Sequence, residues 1–211
     1  MKIKIILLLT ISLFSNVFLK SQEQDILSEN IFEQSYGYIN GMLKDEIPLN
    51  FKDAVLQTEI AFNNELFDIE KVNQKYRLLV HLAKEFAKSE LITYSGKDKD
   101  IIVKHAAIFK AMSDTTLIPV DSSHFYVHTP YMYDFDDPLG QRDWSQMFVC
   151  KLLETGKGNC HSLPYLYKIL AEELDLPCNY ISPQINRAVK NKSYFYNCYG
   201  KEEKFYIENQ G

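Results

Sequence analysis

The sequence predicts an α+β fold with a helical N-terminal half, and three observations carry that expectation. Apolar residues recur at helical spacing from Asp25 to Met112. Beyond Pro119 the chain turns rich in Tyr, Phe, Val and Thr, residues that favour extended structure. Leu163, Leu166, Tyr167, Ile169, Leu170, Ala171 and Leu174 then wrap most of one helix's circumference, so that helix should be central and buried. It should pack on a small antiparallel sheet formed by the short β-prone runs after Pro177.

The first 22 residues stand apart from this fold. Met1-Lys2-Ile3-Lys4 followed by the apolar run Ile5–Leu19 has the form of a secretory signal peptide, with cleavage expected near Ser21 or Gln22. Thr10, Ser12, Ser15 and Asn16 interrupt the run, which makes it too short and too polar for a spanning helix. The mature protein is therefore expected to be secreted or periplasmic, with no membrane attachment once the leader is gone. Residues 23–118 form the helical region of the division and 119–211 the mixed part.

The 211 residues suffice for one domain with a proper core, and 46% apolar against 24% charged is ordinary for a globular protein. Net charge is −5, and losing the leader's Lys2, Lys4 and Lys20 makes the mature chain more acidic. Nothing in that balance suits nucleic acid or an anionic membrane as a partner. The four cysteines, Cys150, Cys160, Cys178 and Cys198, are even in number and allow two disulfides after export, but their spacing shows no disulfide-scaffold pattern. With no CxxC pair and no HExxH, neither a metal nor another cofactor is expected.

Taken in order, Asp25–Lys44 reads as an amphipathic helix stopped before Pro48. Asn50 should cap a helix through Asn64, and Asp68 one running towards Ser89. His81 within that run is expected to be partly buried rather than a ligand. Tyr94-Ser95-Gly96 breaks the pattern, and Lys97–Met112 resumes it. A strand is expected near Phe125-Tyr126-Val127. Asp134, Asp136 and Asp137 read as a solvated acidic turn, since no calcium-loop motif surrounds them. Asp143–Glu154 should be a helix, with Trp144, the only tryptophan, in the core.

Gly156 and Gly158 then form a flexible turn before Cys160, and Pro164 fits only in the first turn of the helix that follows. Cys160 thus falls at a helix N-terminus, where unpaired N–H groups and the helix dipole favour a thiolate. Such a cysteine is either a nucleophile or a small buried residue at a helix end. Asp175-Leu176-Pro177 ends the helix, and Cys178–Ser182 should be a strand.

Gly158-x-Cys160-x-Ser162, Tyr165-Leu166-Tyr167 and Leu170-Ala171-Glu172-x-Leu174-x-Leu176-Pro177 resemble the nucleophile segment of the transglutaminase-like superfamily of papain-like cysteine enzymes. The resemblance spans Asp143–Ser182. It implies that Cys160 is the catalytic residue, on a transglutaminase-like core that is incomplete here, and that the substrate is a peptide or other amide. In that family a histidine on a downstream strand serves as base, with Asp or Asn orienting it. The histidines here are His81, His105, His124, His128 and His161, and residues 162–211 hold none. His161 directly follows Cys160, and neighbouring side chains on a helix diverge by about 100°. Lys192, near the expected histidine position, is protonated at neutral pH and is no base. Ser193–Tyr199 and Lys204–Glu208 read as a hairpin around Gly200.

Three explanations follow in order: a reading frame truncated or shifted after about Cys178, a degenerate non-catalytic member, or a base supplied from upstream by His124 or His128. The expected activity is that of an exported cysteine hydrolase or acyltransferase, weak or absent in this chain. The alternatives are a peptide- or glycan-binding domain using the aromatic-rich stretch Phe125–Phe135, or a structural protein with no pocket.

Overall fold

A computed structural model describes residues 30–62 and 68–176, and the backbone of 195–196, 202–203 and 206–207. The signal-peptide segment, Cys178, Lys192, Cys198 and the expected strand Cys178–Ser182 lie outside the described residues. The chain divides into two compact units, residues 1–64 and 65–211. Helices combined with small two-stranded sheets make it an α+β protein.

In the first unit, helix α1 covers residues 30–43 and α2 covers Phe51–Phe62. Asn50 caps α2 as its sequence position suggests, its Oδ1 accepting the Asp53 N–H at 2.9 Å. Tyr38 on α1 donates to the Asp53 carboxylate at 3.4 Å, and Ser35 donates to Gln57 at 3.2 Å.

The second unit is built on helices α3 (Ile69–Lys88), α4 (Lys99–Ser113), α5 (Val149–Thr155) and α6 (Ser162–Glu173). Asp68 caps α3 through the Lys71 N–H at 3.0 Å, and Val72, Leu79, Leu82 and Ala83 form its buried stripe. His81 lies off that stripe and is exposed rather than partly buried. The α4 helix buries Ile102, Val103, Ala106, Ile108, Phe109 and Met112, so almost its whole length is core.

Among the described residues α6 packs on α3, α4 and α5 rather than on a sheet. Leu163, Leu166, Tyr167, Ile169, Leu170 and Ala171 are buried all round it, and such a helix needs apolar neighbours on more than one side. A Schellman turn closes it. Leu176 N–H donates to Ala171 O at 2.9 Å and Asp175 N–H to Glu172 O at 3.1 Å, with Asp175 left-handed at φ 55°.

Strands are short. Strand β2 (Thr116–Pro119) pairs antiparallel with β3 (Phe125–His128), the latter where the sequence places a strand. Met132–Tyr133 (β4) pairs in parallel with Lys157–Gly158 (β5), Tyr133 opposite Gly158. In the tail, β6 (Phe195–Tyr196) pairs with β7 (Glu202–Glu203), flanking Gly200 as expected. The last strand, β8 (Tyr206–Ile207), does not complete that hairpin but pairs with β1 (Ile92–Thr93), between α3 and α4.

Asp143–Glu154 is not one helix. A 3-10 turn, Trp144–Met147, ends at Phe148, whose extended backbone separates it from α5. Trp144 is 58% exposed, so it is not the core residue its size suggests. Its position is set by Asp143, whose carboxylate accepts the Ser145 N–H at 3.0 Å and pairs with Lys151. Nor is the acidic stretch a solvated turn. Asp137 is buried and accepts the N–H groups of Gln141, Arg142 and Asp143 at 2.9–3.0 Å. Burial would raise its pKa, but those three donors and the Arg142 charge together hold it below the usual carboxylate range. Asp134, also buried, accepts the Asp136 N–H at 2.9 Å.

Candidate functional site

Strand β5 is the approach to Cys160, and its two glycines have distinct steric roles. Gly156 terminates α5 with φ 74°, a left-handed conformation that disfavours a Cβ. Gly158 gives space: a Cβ there would meet Ser162 Oγ at 2.5 Å and Leu152 Cδ1 at 2.9 Å. At Gly158, the flexibility expected of the sequence is instead close packing. Met132 N–H donates to Gly156 O at 2.8 Å and Asp134 N–H to Gly158 O at 2.7 Å, tying β4 to the residues just before Cys160.

The first turn of α6 is closed by a reciprocal cap. Asn159 Oδ1 accepts the N–H groups of His161 at 2.9 Å and Ser162 at 3.2 Å. In return Ser162 Oγ accepts the Asn159 N–H at 3.0 Å and donates to Gln146 O at 3.1 Å. Leu163 N–H reaches back to Asn159 O at 3.3 Å, so Cys160 lies in a hydrogen-bonded turn that leads into α6, two residues before its first residue. Asn159 and Ser162 are fully buried, whereas the Cys160 thiol is exposed. Cys160 is therefore not the buried helix-end residue of the alternative reading. Cys150, the other described cysteine, is fully buried in α5.

Tyr133 on β4 stands opposite Gly158, two residues before Cys160. Desolvation, followed by the charge and hydrogen bond of Cys160, raises the tyrosine's pKa above its ordinary value. Its ring lies against Phe135, the centroids 4.8 Å apart. No sequence signal pointed to Tyr133, because a two-residue parallel pairing leaves no periodic pattern to read.

The histidines are engaged elsewhere. His161 Nδ1–H donates to Met147 O at 3.0 Å and its ring tilts against Tyr165 at 4.0 Å, which holds it over the end of the 3-10 turn. His128, buried on β3, donates from Nε2 to Ala111 O at 2.7 Å. Burial is the main influence on it and lowers its pKa, against the opposing pull of that carbonyl. His124 sits in the exposed turn between β2 and β3, bonded to Asp121 at 2.8 Å. His105, fully buried in α4, bonds Tyr167 of α6 at 2.6 Å, and desolvation lowers its pKa to about 4.

Among the described residues no three His, Cys, Asp or Glu side chains are grouped to hold a metal ion, and no helix is long and apolar enough to cross a membrane. No family model, no curated protein and no solved structure matches this chain.

Proposed function

We propose that this chain is an exported protein with a cysteine-nucleophile site of the transglutaminase-like type, in which Cys160 attacks the carbonyl of a peptide or other amide. One observation carries the reading: an exposed thiol stands in the Asn159–Ser162 turn that leads into a buried helix. The thiol first loses its proton to solvent water, and the thiolate then forms the C–S bond as the carbonyl π electrons move onto oxygen. The tetrahedral species then expels the amine, which must take up a proton, and water or a second amine releases the acyl group from the thioester. No cofactor takes part.

The step left without support is proton transfer to the leaving amine. His124, His128 and His161 are each bonded to other groups, and 162–211 contribute no imidazole. General acid–base help is typically worth about 10²–10⁴-fold, so turnover on amides is weak. Activated esters, whose leaving groups depart without a proton, escape that limit. The test is thioester formation from such an ester, followed by mass spectrometry. A single acyl adduct on Cys160, absent in Cys160→Ser, supports the reading, and unmodified Cys160 refutes it.

Export rests on the basic start and apolar run of residues 2–19. N-terminal sequencing of the mature protein should begin near Gln22, and an intact Met1 in the cytosolic fraction would contradict it. The exposed Phe125 and Phe135 favour a second reading, a non-catalytic peptide- or glycan-binding domain. Ligand binding undiminished in Cys160→Ser, without any acyl adduct in the wild type, would select it.

A further inference from the structure

We infer that Phe135 selects the substrate of Cys160, favouring acyl groups with an aromatic or large apolar side chain beside the attacked carbonyl. The inference rests on the nucleophile reading above. Just beyond β4, the rings of Tyr133 and Phe135 come together, their centroids 4.8 Å apart. Asp134 is buried, 7% exposed, and its carboxylate fastens the next turn through the Asp136 N–H. Phe135, by contrast, is 65% exposed. Tyr133 bridges it to the site, its ring against Phe135 and its backbone opposite Gly158, two residues before Cys160.

Two further restraints make this a fixed surface. The Asp134 N–H to Gly158 O bond and the Tyr133–Gly158 register lock the aromatic pair to the strand that delivers Cys160. A large exposed ring held one aromatic neighbour away from a nucleophile offers a stacking face to the group that flanks the bond under attack. A carboxylate would be repelled by the negative face of that ring, while an aromatic or branched apolar group would shed water against it.

The experiment compares two alkylating agents on the full chain, plain iodoacetamide and N-benzyl-iodoacetamide, with the Cys160 adduct quantified by mass spectrometry. Each rate is divided by that of N-acetylcysteine, so that intrinsic reactivity cancels. Wild type should favour the benzyl reagent about three- to tenfold, the range expected of one aromatic contact. Phe135→Ala should bring the preference, as the ratio of the two rates, close to one, and Phe135→Leu should restore part of it. The ring is mostly exposed, so both variants fold, which circular dichroism melts verify. Equal preference in wild type and Phe135→Ala overturns this inference alone. Failure of plain iodoacetamide to modify Cys160 overturns the nucleophile reading and this inference with it.

Discussion

Asn159 and Ser162 cap one another, each accepting the other's backbone N–H, at 3.2 and 3.0 Å, inside a fully buried turn. The pair fixes the residue between them that matters, Cys160. Asn159→Ala removes the acceptor for two helix N–H groups and should cost roughly 2 kcal/mol, and Ser162→Ala about 1 kcal/mol. Because the two form one unit, the double variant should lose less than the sum. Urea denaturation of the three variants measures this, and strict additivity would show that the caps act separately.

Gly158→Ala tests the same turn from the strand side. The added methyl meets Ser162 Oγ and Leu152, and displacing them should cost roughly 1–3 kcal/mol. An unchanged melting temperature would mean that the turn opens without penalty.

For the helix itself, Leu170→Ala should cost about 2–5 kcal/mol, since Leu170 is fully buried. A loss below about 1 kcal/mol would make α6 peripheral.

Acid should weaken the fold through His105. Its pKa falls from 6.5 to about 4 on folding because desolvation disfavours the charged ring. The unfolded chain therefore takes up the proton first as pH drops. The contribution is fully present above pH 6.5, declines between 6.5 and about 4, and is constant below. Its size is about 3 kcal/mol at 1.36 kcal/mol per pH unit. His128 shifts in the same direction. Urea midpoints for wild type and His105→Gln across pH 7.5 to 4 should show a shallower decline in the variant; parallel curves would exclude His105 as the cause.

Local chemistry was legible in the sequence, and long-range placement was not. Asn50 and Asp68 cap helices as read, because a cap is decided within four residues. The apolar circumference of α6 marked it as central, and Pro177 marked its end. That α3, α4 and α5 pack on that helix was not legible, because periodicity tells that a face is buried and not what buries it; the strand expected at Cys178–Ser182 lies outside the described residues. Trp144 was placed in the core on size alone, yet Asp143, Ser145 and Lys151 hold its turn at the surface. Strand β2 went unseen because it follows α4 within three residues and ends in Pro119. Asp134 and Asp137 looked solvated because charge in a loop usually is; their partners are backbone N–H groups, which composition does not reveal.

Reaction with p-nitrophenyl acetate, followed in a stopped-flow instrument, tests most directly whether Cys160 is a nucleophile without an acid–base partner. The predicted result is a burst of one p-nitrophenolate per chain that disappears in Cys160→Ser, then slow release of acetate, with no measurable hydrolysis of the corresponding anilide. A burst of equal size in Cys160→Ser would contradict the assignment of the nucleophile, and sustained anilide turnover that depends on Cys160 would show that a histidine of this chain completes the site.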